Sequence, residues 1–307
     1  MMYALLIVGF ILLIKGADFF VDGSASIAKL LHVPSVIIGL TIVALGTSAP
    51  EAAVSITAAL QGNSDIALNN IIGSNLFNLM VVIGVCAAIQ AFASHPDILK
   101  RDFPISIGLT VLLIVFVKNG VISRMEGLLL LILMALYVFL ICRHAKKQPA
   151  AEEEVSIRSL SPTKSILFCG IGLAMIILGG NFVVDNASLI AASFGLSDAL
   201  IGLTIVAIGT SLPELVTSIT AAKKGQSGLA LGNVIGSNIF NIIFILGASS
   251  ALTPIQADRF ALYDCGILLA VSVVIYLFSR TGKRVNRLEG WVCILGYVAY
   301  SAYIILR

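Results

Sequence analysis

Two acidic residues lie at the ends of two nearly identical apolar segments, one in each half of the chain. The segment GLTIVALGTSAPE ends at Glu51 and GLTIVAIGTSLPE ends at Glu214, so the copies agree at 11 of 13 positions. Each carboxylate follows a Gly-Thr-Ser triplet and a proline. Carboxylate, hydroxyl and carbonyl oxygens are the ligands that hard cations prefer. The repeated segments therefore predict a cation site built from oxygen atoms.

The proline in each segment predicts a kinked or broken helix. Pro50 has no N–H and its ring crowds the carbonyl of Gly46, and Pro213 acts in the same way on Gly209. Backbone exposed to lipid could not remain unpaired, so such a break must face protein or a water-filled cavity. We therefore expect free carbonyl oxygens beside the two carboxylates.

Further polar residues follow the same helix faces. NNIIGSNLFN at 69–78 and GNVIGSNIFN at 232–241 agree at 7 of 10 positions, again 163 residues apart. Spacings of three and four residues place the members of each stripe on one helix face. The stripes of the two halves contain Ala44, Thr47, Ser48, Glu51, Ser55, Asn70, Ser74 and Asn78, and Ala207, Thr210, Ser211, Glu214, Ser218, Asn233, Ser237 and Asn241. Since the segments are otherwise apolar, we expect the stripes to face one another around a shared site.

The composition is that of a membrane protein. Of the 307 residues, 59% are hydrophobic and 11% are charged, against roughly 25% charged residues in soluble domains. Apolar runs near the length that crosses a bilayer recur along the chain. The sequence therefore predicts an all-α polytopic membrane protein with ten transmembrane helices. The predicted spans are 3–30, 34–60, 66–91, 103–117, 125–142, 165–192, 198–222, 228–252, 260–279 and 288–306.

A polar linker at 143–164 separates a first five-helix repeat, 1–142, from a second, 165–307. If this linker is cytoplasmic, 14 basic residues lie inside and 4 outside. The positive-inside rule then places both termini outside a plasma or inner membrane. Because five is odd, the second repeat enters the membrane from the opposite side. Inverted repeats with broken helices are typical of secondary transporters.

The countercharge of the two carboxylates indicates what is transported. A carboxylate near mid-membrane costs at least ~2.5–3.5 kcal/mol, and spans 2, 3, 7 and 8 have no Lys or Arg in their interiors. A transported cation is the simplest partner. Without Cys or His ligands, zinc and copper are disfavoured. Ca2+ takes 6–8 oxygens. A site of charge −2 also balances two Na+, so the two ions can compete.

The paired GTS-x-PE and GSN-x-x-N motifs resemble those of the cation/calcium antiporter superfamily, and within it the sodium/calcium exchanger branch. The resemblance covers both halves. It implies ten helices, with spans 2, 3, 7 and 8 as an ion core and the long spans 1 and 6 sliding across it. It implies Ca2+/Na+ antiport by alternating access in the lipid bilayer, without a cofactor or nucleic acid. Each chain is expected to hold a complete site and to function as a monomer.

The resemblance also implies the ion ligands. The calcium site would use the side chains of Glu51 and Glu214 and the carbonyls of Thr47 and Thr210. The flanking sodium sites would use Ala44, Thr47, Ser74 and Glu51, and Ala207, Thr210, Ser237 and Glu214. A middle position would involve Asn78 and Asn241, with Ser48 and Ser211 adjacent.

Several alternatives stay open at this point. Exchangers of this branch often carry Asp where this chain has Asn241, so the sodium stoichiometry is undetermined. A calcium/proton or potassium-dependent exchanger is the main alternative, although the proton-coupled branch typically shows a GN-x-x-E pattern. A channel would not need inverted repeats. An intramembrane enzyme would need a catalytic motif such as GxGD or HExxH, which the sequence lacks.

One charged cluster lies within the first span. Lys15, Asp18 and Asp22 share a helix face at i, i+3 and i+7. The spacing favours a local ion pair between Lys15 and Asp18. The alternative is a gating role near the outer vestibule.

Overall fold

The computed structural model describes residues 2–93, 95–145, 160–194, 207–257 and 260–306. Within these ranges the helices are α1 (Met2–Leu30), α2 (Ser35–Thr47), α3 (Ala49–Leu60), α4 (64–89), α5 (98–117), α6 (Arg124–Ala145), α7 (Pro162–Ser193), α8 (Ala207–Thr210), α9 (Leu212–Lys223), α10 (227–252), α11 (Ala261–Thr281) and α12 (Arg287–Leu306). Four two-residue strands join them: β1 (Phe92–Ala93), β2 (Val121–Ile122), β3 (Ile255–Gln256) and β4 (Arg284–Val285).

The helices form ten membrane spans, because α2 and α3 are two parts of one span and α8 and α9 of another. Six of the described helices are individually long and apolar enough to cross a membrane, and the bent pair of α2 and α3 makes a seventh. The fourth span begins at residue 98, five residues before the sequence-based estimate, with a π-helical turn at Ile98–Asp102. The beginning of the predicted seventh span, 198–206, lies outside the described residues.

The two halves are copies of each other. Adding 163 to the bounds of α3 and α4 gives the bounds of α9 and α10. The same shift converts β1 into β3 and β2 into β4. Strand β1 pairs with β4, and β2 pairs with β3, both antiparallel. Each short ladder therefore joins the two repeats, and the ladders are related by the same symmetry as the helices.

The orientation of α1 against α7 shows that the repeats are inverted. Gly9 lies against Gly179, and Gly16 lies against Gly172, so the two helices run antiparallel. A Cβ built on Gly172 would lie 2.7 Å from the Gly16 carbonyl oxygen, and one on Gly9 would lie 2.9 Å from the Gly179 carbonyl oxygen. Glycines at seven-residue spacing thus let the two backbones touch, as small residues do in membrane helix pairs.

Helices α4 and α10 form the centre of the bundle. In their apolar windows 78% and 94% of the residues are buried, against 22–33% for the other four long helices. Most of their serines and asparagines are consequently enclosed by protein rather than lipid. The predicted all-α fold with two inverted five-helix repeats is confirmed.

The contacts of Gly9 with Gly179 and of Gly16 with Gly172 are called the glycine seam. This seam between α1 and α7 can be tested with two alanine variants of α7. Gly172→Ala would place its Cβ against backbone atoms of Phe20 and Gly16, so we expect the melting temperature of the purified protein to fall by at least about 2 °C. Gly170→Ala meets nothing within 4 Å and should not lower it. Equal shifts in both variants would contradict the seam.

Candidate cation site

Both repeats break their helix at the predicted place. The axes of α2 and α3 meet at 49°, and Ser48 between them has φ −82° and ψ 9°. Ser211 separates α8 from α9 with φ −91° and ψ 6°. Helix α2 ends at Thr47 and α8 ends at Thr210, so the carbonyls of both threonines lie at the helix ends beside the breaks. The predicted helix break is confirmed.

The two carboxylates lie just beyond these breaks, in the first turns of α3 and α9, where the helix dipole favours negative charge. Glu51 and Glu214 are both fully buried. Ser211 Oγ donates to Glu51 Oε1 at 2.8 Å, and Ser48 Oγ donates to Glu214 Oε1 at 2.7 Å. Each carboxylate is therefore held by the helix break of the other repeat, which brings the two acids to the symmetry axis.

Amide side chains tie the central helices to the broken ones. Asn70 Nδ2 donates to Ser55 Oγ, and Asn233 Nδ2 donates to Ser218 Oγ, both at 2.9 Å. Thr47 Oγ1 donates to Asn233 Oδ1 at 3.0 Å. These bonds join α4 to α3, α10 to α9, and the second repeat to the first. The predicted polar stripes thus face each other.

Several buried oxygens in this cluster have no hydrogen-bond partner among the residues that the structure describes. They are Glu51 Oε2, Glu214 Oε2, Asn78 Oδ1, Asn241 Oδ1 and Ser74 Oγ. Buried polar atoms are almost always paired, so a cluster of such oxygens requires an explanation. In addition, no cationic side chain of the described ranges pairs with either glutamate. The donor set suits a cation bound by oxygen atoms.

The predicted ligands of both halves occupy this region. Ser237 Oγ donates to Glu214 Oε1 at 3.3 Å and lies 3.5 Å from the Ala44 carbonyl oxygen. Ala207 is the first residue of α8, and its side chain is outside the described part of the chain. Buried residues at the site are Ala44, Thr47, Ser48, Ser74, Asn78, Thr210, Ser211, Ser237 and Asn241. The residues Asn75, Asn238 and Lys224 were not among the predicted site residues, although both asparagines occur in the repeated GSN motif.

A crevice beside α7 reaches one of the helix breaks. It is lined by Pro50 and Thr210 from the broken spans and by Asn181 and Asp185 from α7. Thr210 is 8% exposed, whereas its counterpart Thr47 is 0% exposed. At the symmetry-related position, α1 packs along α9. The two faces of the core therefore differ, since α7 leaves a crevice where α1 makes contact.

An ion-pair cluster holds α1 against the core on the contact side. Lys224 Nζ, just after α9, donates to Asp22 Oδ1 at 2.7 Å and to the Asp18 carbonyl oxygen at 3.1 Å, and it lies 3.4 Å from Asp18 Oδ1. The predicted pair between Lys15 and Asp18 is wrong, although both residues are described. Lys15 is exposed, whereas Asp18 faces the end of α9 and so meets Lys224. The residue equivalent to Lys224 in the first repeat is Gln61.

Inverted repeats whose broken helices meet at a buried pair of carboxylates define a secondary transporter. The profile of the sodium/calcium exchanger protein family matches residues 1–143 and 164–306. The chain belongs to this family, which consists of transporters and not enzymes.

Individual relatives cover nearly the whole chain. CaxA of Alkalimonas amylolytica is 41% identical over 96% of this chain and 96% of its own length. The sodium/calcium exchanger MaX1 of Methanosarcina acetivorans is 34% identical over 97% of each chain. Among solved structures, the sodium-calcium exchanger NCX_Mj soaked with 2.5 mM Na+ and 0.1 mM Ca2+ superimposes with a TM-score of 0.87. Its sequence is 32% identical, and the match covers 98% of this chain and 97% of that one.

The carboxylates are tested by Glu51→Gln and Glu214→Gln. Each variant removes half of the negative charge at this site, so we expect ion transport in vesicles to fall at least about hundredfold, while the protein remains folded in the membrane. Glu289→Gln alters a partly exposed carboxylate that caps the start of α12 and serves as the matched control. Normal transport by either core variant would contradict the shared site.

Proposed function

We propose that this protein is an antiporter that exchanges Ca2+ for Na+ across the membrane by alternating access. The observation that carries the proposal is the cluster of unpaired buried oxygens around two carboxylates that lack a cationic side-chain partner among the described residues. The family of the chain and the names of MaX1 and NCX_Mj, both sodium/calcium exchangers, support the choice of ions.

The proposed calcium position lies between Glu51 and Glu214, with the Thr47 and Thr210 carbonyls completing it. Two bidentate carboxylates and two carbonyls supply six oxygens, the lower end of the range that Ca2+ takes. Flanking sodium positions would use the Ser74 hydroxyl with Ala44, and the equivalent groups of the second repeat, Ser237 and Ala207. Asn78 and Asn241 would lie at the middle position, with Ser48 and Ser211 as the hydroxyl donors that orient the carboxylates.

Charge balance limits how many ions this core holds together. Asn78 and Asn241 supply amide oxygens without net charge, so the core has the two ionised groups Glu51 and Glu214. One Ca2+ or two Na+ neutralise them. A third Na+ would leave an uncompensated positive charge in a buried site, which is costly. Competition between one divalent and two monovalent ions for one pair of carboxylates is what an exchanger requires.

The difference between the two faces of the core supports alternating access. The crevice beside α7 gives a path toward Thr210, while on the opposite face α1 is held against α9 by Lys224. With the linker 143–164 in the cytoplasm and both termini outside, the crevice opens outward and Lys224 lies at the cytoplasmic end. The described conformation is then outward-facing. Sliding of α1 and α7 across the core would exchange the two arrangements.

The coupling ion is tested with purified protein in vesicles loaded with 45Ca2+ tracer, with Na+, K+ and pH gradients imposed one at a time. We expect a Na+ gradient alone to drive Ca2+ flux, because hydroxyl, amide and carbonyl oxygens outnumber titratable groups at the site. Flux that needs a pH gradient and not Na+ would favour a calcium/proton exchanger. A requirement for K+ beside Na+ would favour a potassium-dependent one, and flux without any counter-ion would indicate a channel.

Alternating access is tested by Lys224→Gln, which introduces the residue of the first repeat. Loss of the ion pairs should shift the population away from the outward-facing state by up to about fivefold. The Ca2+ concentration that half-saturates transport should therefore rise on the outer face of oriented vesicles and fall on the inner face. The reason is that apparent affinity on each face follows the population of the state that is open to that face. Lys223→Gln alters an exposed neighbour and should change neither value. Changes of the same sign on both faces would contradict this role.

A further inference from the structure

Four asparagines form a hydrogen-bonded network where α4 crosses α10, called here the ring: Asn75 and Asn238 close it through reciprocal bonds, and Asn78 and Asn241 each donate one bond into it. Asn75 Nδ2 donates to the backbone carbonyl of Asn238 at 3.2 Å, and Asn238 Nδ2 donates to the backbone carbonyl of Asn75 at 3.1 Å. Asn78 Nδ2 donates to Asn238 Oδ1 at 3.1 Å, and Asn241 Nδ2 donates to Asn75 Oδ1 at 2.9 Å. All four side chains are at most 1% exposed. The ring obeys the internal two-fold symmetry and contains no charged group.

The ring fixes which end of each amide faces which neighbour. A backbone carbonyl can only accept, so the Asn75 and Asn238 side chains must turn their NH2 groups toward these carbonyls. Their Oδ1 atoms then face Asn241 and Asn78, whose side chains must donate hydrogen bonds from their NH2 groups. A flip of any one amide would place two oxygens or two NH2 groups against each other. The orientation therefore follows from the backbone and not from a choice between equivalent assignments.

The fixed orientation of the ring determines where the side-chain oxygens of Asn78 and Asn241 lie. Each of these amides uses its NH2 group within the ring, so its Oδ1 is the atom left for another partner. These two oxygens are buried and have no hydrogen-bond partner in the described part of the chain. An NH2 group in the same place would repel a cation, because it carries partial positive charge and no lone pair.

We infer that Asn75 and Asn238 are positioning residues for cation binding, which act by holding the amide oxygens of Asn78 and Asn241 toward the ion core. They do not themselves contact an ion. The inference rests on the proposed exchange of Na+ and Ca2+, and it concerns Na+ more than Ca2+. The proposed calcium position uses carboxylates and carbonyls, whereas the middle position uses these two amides.

The ring also explains how an asparagine at 241 is accommodated. An ionised aspartate there would set a carboxylate oxygen against Asn75 Oδ1, where the structure has a donor. Asn75 could offer its NH2 group to that carboxylate only by breaking its bond to the Asn238 carbonyl. The identity of residue 241 and the orientation of Asn75 are therefore coupled, and the neutral pair Asn78 and Asn241 is the combination that keeps all four hydrogen bonds of the ring.

The test compares Asn75→Leu with Asn75→Asp in the vesicle assay. Leucine has a similar volume but no acceptor, so Asn241 is free to rotate. We expect the Na+ concentration that half-saturates transport to rise at least about fivefold, which is the factor that corresponds to the net free energy of one hydrogen bond. The Hill coefficient for Na+ should fall. The half-saturating Ca2+ concentration in Na+-free Ca2+/Ca2+ exchange should change less than about twofold, because neither of the two hydrogen bonds that the variant removes involves a carboxylate.

Asn75→Asp keeps an acceptor for Asn241 Nδ2 and should not raise half-saturating Na+, although it loses the bond to the Asn238 carbonyl. Equal increases in the leucine and aspartate variants, no change in either, or a matching loss of Na+ and Ca2+ affinity would each overturn the inference. If Asn75→Leu does not fold, Asn75→Ser, which is too short to reach Asn241, replaces it with the same expectation. The unaltered protein is measured first, since absence of Na+-driven flux there overturns the proposed function instead.

Discussion

The structure depends on keeping two carboxylates inside a membrane without a cationic side chain beside them in the described part of the chain. Glu51 and Glu214 are held by serine hydroxyls that each belong to the opposite repeat, at 2.8 and 2.7 Å. These neutral donors orient the acids but leave their charge uncompensated. An isolated buried ion is costly, so the ionised pair requires a countercharge, which the proposed cation would supply. Broken helices, central polar stripes and amide contacts all serve this arrangement.

Because the repeats are inverted copies, each contributes the same set of side chains to one half of the site. The first repeat supplies a hydroxyl to the carboxylate of the second and receives the same in return. Neither half can complete the site alone, because the serine that orients each glutamate comes from the other half. The two strand ladders, which lie between the helices along the chain, repeat this exchange, since each ladder takes one strand from each repeat. The duplication is therefore a structural requirement of the site.

Much of this was readable in the sequence, because identical polar residues recurred at one offset within apolar segments. The apolar runs predicted the ten spans, the repeat with five spans in each half predicted the inversion, and the prolines predicted the breaks at Pro50 and Pro213. The ring of Asn75 and Asn238 was not predictable, because it depends on where α4 crosses α10. The predicted ion pair between Lys15 and Asp18 was wrong for a related reason. Asp18 and Asp22 bind a lysine that is 206 and 202 residues away, and no local spacing reveals such a partner.

The glycine seam couples α1 and α7 so that the two helices would move as one unit. Their backbones touch at Gly9 with Gly179 and at Gly16 with Gly172, so neither helix can slip far along the other without collision. A displacement of one helix across the core must carry the other with it. Because the two helices cover symmetry-related faces, withdrawal of α7 on one side would accompany approach of α1 on the other in the proposed exchange cycle. In an exchanger, such a linkage makes simultaneous opening to both compartments, and hence an uncoupled leak, mechanically unfavourable.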